Sequence, residues 1–358
     1  MKYWKGYLTA AILAAFTWGL REFSRTHSAL VDMVYPYVTR MAQNFLVGWN
    51  SSVEYCVWQV VLLALLALVV ATLVLVVILK WNLIQWLGWV LTGASVVVFL
   101  NFGIFGLNDY AGPLAEDIWL DETEYNITEL ENAAAYYRDL ANALADQVTR
   151  DERGDVVFGD FDTLAAQAGD GFDRLVYEKS LSVFAGSLEP VKKLGWANQF
   201  TAQGITGITV PLTGEAAVNP ETPAVLMPFA MCREMARRMS ITIQRDSSFA
   251  AYLACKENTD LQFRYSGALL GYRYCLEALE ELDAVTGDGR AIRVSAGEGE
   301  NLTHDLAVCD RFYGNREMKD AKTCELLTSW HIQNVVLPSQ SVEEELFDPL
   351  DKGQVNLN

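Results

Sequence analysis

Histidine is nearly missing. His27, His304 and His331 are the only three in 358 residues, and no two of them stand four apart. A two-histidine metal motif on one helix face therefore cannot be written anywhere in the chain. The six cysteines contain no Cys-x-x-Cys, so a cysteine-rich zinc site is not expected. Gly-x-Ser-x-Gly is missing too, and neither late histidine sits in a recognisable triad motif, which leaves serine-based hydrolysis without support. The Gly-rich stretch from Thr286 to Glu300 lacks the Gly-Lys-Ser/Thr ending of a phosphate loop and the Asp spacing of a calcium loop, so no ligand is assigned to it.

Positive charge is also scarce, with 27 Lys+Arg against 45 Asp+Glu, yet the mean hydropathy is +0.13. Two populations are mixed. Residues 1–106 hold 6 basic and 3 acidic residues, and residues 107–358 hold 21 basic and 42 acidic, a net charge of −21. Such a field repels nucleic-acid phosphates, so no nucleic-acid partner is expected.

Val57 to Leu79 runs 23 residues without a charge, enough to cross roughly 30 Å of hydrocarbon. After Lys80-Trp81-Asn82, residues 83–107 are again uncharged, with Gly88, Gly93 and Gly103 as places where a neighbouring helix can approach. Residues 6–20 form a shorter apolar stretch that fits either a tilted first span or the core of a signal peptide. No small-x-small cleavage site follows, which favours a retained helix and three spans. Seven of the ten tryptophans lie in this third, most near the ends of the spans, as headgroup anchors do.

Between the first two spans, Val34, Val38, Met41 and Phe45 recur at helical spacing, with Arg40 and Asn44 between them. Two readings stand for the segment 30–47: a helix on the membrane surface, or one packed under the outer domain. Basic residues fall three to each side of the spans, so orientation is poorly determined. The absence of Lys and Arg from Asn108 to Tyr137 agrees with export of the large domain. The expectation is thus a mainly α protein in three parts: a membrane domain over 1–110, an extracytoplasmic domain over 111–337, and a flexible acidic tail over 338–358.

The outer domain is read as mostly helical, with amphipathic helices over Thr128–Arg150 and Asp160–Glu178 and further helices from Phe229 onward. Ile205 to Val210 is a short strand closed by Pro211. Of the cysteines, Cys56 opens the second span, and Cys232, Cys255, Cys275, Cys309 and Cys324 lie in the outer domain. An odd number there points to buried thiols, and a single bridge such as Cys232 to Cys255 remains open.

Three blocks carry a family likeness: GITGITVPLTGEAAVN from Gly204, LMPFAMCREMARRMSITIQRDSSFAAYLAC from Leu226, and FRYSGALLGYRY from Phe263. With Gly106-Leu107-Asn108-Asp109-Tyr110 after the third span, they resemble the bacterial membrane family catalogued as domain of unknown function 3810. The resemblance runs from the first span to about Leu282. It implies a plasma-membrane protein with a zincin-like outer domain, related to membrane-anchored zinc metallopeptidases. In such proteins His-Glu-x-x-His lies in the Pro-Phe-x-x-Cys helix, with a second acidic block downstream. Here the first histidine position is Arg233, the glutamate is Glu234 and the second histidine position is Arg237. The acidic block falls on Gln244 to Ser248, where Asp246 is the remaining carboxylate.

A guanidinium stays protonated and has no lone pair for zinc. Two such cations about 4 Å apart repel by about 4 kcal/mol even at an effective dielectric of 20, and a dication between them fares worse. No zinc or other cofactor is therefore expected, and Glu234 remains only as a vestigial general-base position. Two readings of the arginines compete. They replace the metal as a cross-link to Asp246 or another carboxylate, or Arg233, Arg237 and Arg238 form a pocket for an anionic group. A rescued metal site on Cys232, Asp246 and His304 is a minor alternative. The resemblance also gives the strand around Gly204, Gly207 and Ile208 a role in holding an extended peptide, against the alternative of an edge covered by its own chain. The function expected is a non-catalytic, membrane-anchored scaffold or regulator that binds a protein or peptide. The alternatives are a peptidase using Glu234 in an unconventional site, and a structural subunit of a membrane complex.

Overall fold

A computed structural model describes residues 4–122, 124–314 and 322–339. Four long helices open the chain: α1 (Lys5–Thr26), α2 (Ser28–Asn50), α3 (Val57–Ile78) and α4 (Leu83–Ile104). Among the described residues, α3 and α4 are the two helices long and apolar enough to cross a membrane, 22 residues each. The span expected over residues 6–20 is a continuous helix, α1, which carries Lys5, Arg21, Glu22 and Arg25 and falls short of that apolarity. It packs along α4. A Cβ on Gly6 would lie 2.5 Å from the carbonyl carbon of Gly88, so the two backbones touch there. Tyr7 donates to the Ile84 carbonyl at 2.8 Å and Thr92 to the Gly6 carbonyl at 2.8 Å. The start of α1 lies beside the start of α4, and α1 also reaches the turn Gly106–Tyr110 that follows α4, so the two run in the same direction.

The outer part is helical around one core. Its centre is the helix Leu261–Thr286, which buries Phe263, Tyr265, Leu269, Tyr272 and Tyr274. Helices Ile127–Ala145, Met227–Arg238 and Gln244–Glu257 pack around it. The first of these starts at a capping box, with Asn126 accepting from Glu129 N–H and Glu129 reaching back to Asn126 N–H. The single helix expected over Asp160–Glu178 is two, Phe161–Gln167 and Asp170–Tyr177, and the Gly-rich stretch contains a short helix, Arg290–Ser295.

Three strands form a small sheet in the order β1 (Lys192–Lys193), β3 (Glu215–Val218), β2 (Gly207–Val210). β2 and β3 are an antiparallel hairpin, and β1 is parallel to β3. Alternation gives the sheet two faces. Ala216 and Val218 face the main core, whereas Ile208 and Ala217 face a small cluster with Cys56 and Leu194 beneath α3. All six cysteines are free and buried, so the open question of a Cys232–Cys255 bridge resolves to two thiols. Of the tail, Pro338 and Ser339 continue a helical segment, and residues 340–358 lie outside the described residues.

The candidate site around Glu234

Met227–Arg238 is the helix that carries the arginines. Pro228 sits in its first turn, where a missing N–H costs nothing, and its apolar residues Phe229, Met231, Cys232, Met235 and Ala236 are buried. One stripe is polar and faces β2. There the Glu234 side chain has no exposed surface, while the side chains of Arg233 and Arg237 are 13% and 22% exposed.

The Glu234 carboxylate is held from three directions. Arg233 approaches Oε1 through Nε and Nη2, both at 3.3 Å, and Arg237 Nη1 approaches the same oxygen at 3.4 Å. The Thr209 hydroxyl lies 3.0 Å from Oε2 and 3.0 Å from the Glu234 carbonyl. Arg233 also donates to Thr206 Oγ1 at 2.7 Å, and Arg237 to Gln244 Oε1 at 3.1 Å. The close fit depends on Gly207: a Cβ there would stand 2.7 Å from Glu234 Cγ and 2.9 Å from the Ala217 carbonyl oxygen. The result is two cations sharing one buried anion, with a net positive charge and guanidinium edges at the surface.

The structure brings Arg233, Glu234, Arg237 and Gly207 together and leaves the other expected residues elsewhere. Asp246 is one of these. Successive helix residues point about 100° apart. Gln244 and Ser247 therefore turn toward Arg237 while Asp246 turns away, accepting Leu114 N–H at 2.9 Å and Arg245 Nε at 2.9 Å. Asp246 instead lines a cavity of about 260 Å³ with Asp32, Arg40, Asn108 and Asp117. Arg238 points to the opposite side and donates to the carbonyls of Ser187 and Glu189. Its complete burial pulls its pKa down to about 10. Gly204 occupies a left-handed turn (φ +65°) before β2, and Ile208 faces the cluster under α3. Cys232 lies in the core and His304 pairs with Asp155 at 2.8 Å, so the three residues of a rescued metal site do not meet.

Thr206 and Thr209 were not legible as site residues. The signal that could have found Thr209 is the period of two, which puts it on the same face as Gly207. The hydrogen-bond register also decides which backbone groups are available. Asn219 N–H donates to the Thr206 carbonyl at 2.8 Å, which makes Thr206, Ile208 and Val210 the residues bonded to β3. Gly207 and Thr209 consequently turn their N–H and C=O groups to the outer edge of the sheet.

The residues of this site do not fit a zinc ion. Arg233 and Arg237 have no lone pair to give, Glu234 is already taken up by them, and among the described residues no group of three His, Cys, Asp or Glu side chains stands ready to hold a metal.

A family model described as protein of unknown function (DUF3810) matches residues 31–322. The chain belongs to this family. No curated protein and no solved structure gives a significant match to it. The matched region begins within α2 and takes in α3, α4 and nearly all of the outer domain, so the buried Glu234 cluster lies inside it.

Proposed function

We propose that this protein is a membrane-anchored, non-catalytic member of its family, whose outer domain holds an extended segment of a protein or peptide partner. In this reading α3 and α4 anchor it in the bacterial plasma membrane, and the outer domain is extracytoplasmic and zincin-like with its chemistry replaced. The observation that carries it is Glu234. A general base needs a water to deprotonate and a free lone pair to do so; this carboxylate is buried and neutralised by Arg233, Arg237 and Thr209. The outer edge of β2 supports the binding half of the reading, because Gly207 and Thr209 offer main-chain donors and acceptors beside two guanidinium groups that suit a carbonyl or carboxylate.

The test uses the full-length protein in lipid nanodiscs. Metal content is measured by mass spectrometry, and cleavage of a mixed peptide library is followed for the unaltered protein and for Glu234→Gln. The expected result is no stoichiometric zinc and no Glu234-dependent cleavage. Bound zinc near one per chain, or cleavage lost in the Gln variant, overturns the proposal. Crosslinking from a photoreactive residue at Thr209 is expected to capture an extended peptide segment; no capture of any peptide from the library removes the binding half.

A further inference from the structure

α2 is amphipathic in the reverse of the usual sense. Most of its polar side chains face protein. Arg40 donates to the carbonyls of Ser182 and Val183, Gln43 to that of Pro211 at 3.0 Å, and Asn50 to that of Thr213, while Asp32 accepts Gly112 N–H at 2.7 Å. The opposite face is mostly apolar and exposed: Met33, Tyr37, Met41 and Phe45 are 69%, 63%, 70% and 74% exposed, Val34, Val38 and Asn44 lie between them, and Arg40 reaches its edge over the Tyr37 ring at 4.8 Å. In a chain surrounded by water that arrangement puts the wrong face outward.

The path of the chain says what covers it. α1 and α4 run in the same direction, and α3 leads into α4 through the short turn at Lys80–Asn82, so the end of α1, the start of α3 and the end of α4 share one side of the helical hairpin. α2 joins the first two of these points. It also touches the third, with Tyr35 donating to the Gly103 carbonyl and Thr39 to the Ile104 carbonyl at 3.1 Å. It therefore runs across that end of the hairpin, with the outer domain on one side and the uncovered apolar face on the other. The two charged residues of α2, Asp32 and Arg40, both belong to the domain-facing side.

We infer that α2 lies in the surface of the bilayer, its apolar face sunk into the boundary between headgroups and acyl chains of the leaflet beneath the outer domain. The inference rests on the reading that α3 and α4 span a bilayer. The absence of basic residues from the exposed face makes the insertion independent of lipid charge. It also fixes the height of the candidate site. The β2–β3 turn rests on α2, where a Cβ on Gly214 would stand 2.8 Å from Leu46 Cβ, so the open edge of β2 is held close above the headgroups. A segment that pairs with that edge must approach along the membrane surface.

The experiment places a nitroxide label at Met41→Cys and at Phe45→Cys, one at a time, in the full-length protein. The protein is reconstituted in phosphatidylcholine vesicles with and without phosphatidylglycerol. The six native cysteines are buried, and the unaltered protein supplies the labelling background. Labels at Leu66→Cys in α3 and at the exposed Tyr177→Cys in the outer domain are the deep and aqueous references. Relaxation by oxygen and by a water-soluble nickel chelate is measured. At both α2 positions oxygen contact is expected to rise and chelate contact to fall relative to Tyr177, to a depth shallower than Leu66 and equal in the two lipid mixtures. Chelate contact at Met41 and Phe45 equal to that at Tyr177, with Leu66 deep, overturns the inference and leaves the spans standing. Exclusion of both reagents means a protein partner or a second copy covers α2, and also overturns it. A Leu66 label in water overturns the spanning reading and the inference together.

Discussion

Removing the Glu234 carboxylate leaves Arg233 and Arg237 facing each other with most of their surface buried. Glu234→Leu is expected to destabilise the outer domain by about 3 kcal/mol, because an uncompensated buried charge costs more than the intact pair returns. Adding Arg233→Leu and Arg237→Leu to it is expected to recover much of the loss, since a well-packed apolar triad carries no desolvation penalty. Thermal unfolding of the single and triple variants checks this; a triple variant no more stable than the single one removes the electrostatic explanation. A second residue sets a pH dependence. Burial pushes the Glu277 carboxyl from its ordinary 4.5 up to about 7, against the opposing pull of Arg273 at 3.0 Å. Between those two pH values the folded state holds a proton that the unfolded chain has released, so this residue's contribution to stability is full below 4.5 and is lost as pH rises through 7. Glu277→Gln is expected to flatten that part of the stability profile. Equal slopes in denaturant titrations of the two proteins from pH 4.5 to 7 contradict the assignment.

At the scale of elements, the Glu215 side chain fastens the start of α3 to the sheet, beside the bonds of Cys56 to the Lys193 carbonyl and of Gly195 N–H to Gln59. The Glu215 carboxylate, with no exposed surface, accepts the N–H groups of Val57 at 2.7 Å and Trp58 at 2.8 Å, and receives Lys192 Nζ at 2.9 Å. These N–H groups belong to the first turn of α3, which has no partners within its own helix and favours a negative charge. Lys192 also donates to the Asn50 carbonyl at 3.1 Å, so the end of α2, the start of α3 and two strands meet at one ion pair. Glu215→Ala is expected to loosen that junction, with amide exchange at Val57 and Trp58 faster by roughly five-fold, the equivalent of about 1 kcal/mol for a lost cap. Unchanged exchange there means that the Glu215 cap adds nothing to the other contacts holding the start of α3. The contact between α1 and α4 has a different basis: small residues, Gly6 on Gly88, and hydroxyl bonds from Tyr7 and Thr92 to backbone carbonyls.

Over the whole molecule, the six thiols report on the integrity of the fold. Burial raises the pKa of Cys56 and Cys309 to about 12 and that of Cys324 to about 11, and lifts Cys255 well above its ordinary value, with Cys232 beside it adding to the effect. The nucleophilic thiolate is thereby suppressed. Maleimide is expected to modify none of them in the native protein at neutral pH and all six after denaturation. Stoichiometric labelling of a native thiol places an opening where the core is described as closed.

Much of this was legible in the residues. The uncharged runs marked α3 and α4, because the length of an apolar run is a local property that can be counted without any knowledge of tertiary contacts. Helical periodicity found the outer helices, with ends displaced by a few residues where capping decided them. The Arg-Glu-Met-Ala-Arg stretch shows in its covalent chemistry alone that two side chains bring no lone pair to a metal. What the sequence could not decide depends on contacts between residues far apart in the chain. Asp246 and Glu234 both looked like partners for the arginines, and only the packing of Gln244–Glu257 shows that Asp246 turns toward Leu114. Nothing local marks Glu215 as an anchor, because its partner Val57 lies 158 residues away in sequence. The pattern of α2 revealed an apolar face and a polar one but not which of them meets protein. That choice was made by the carbonyls of Ser182, Val183, Pro211 and Thr213, which need donors that only the polar face supplies.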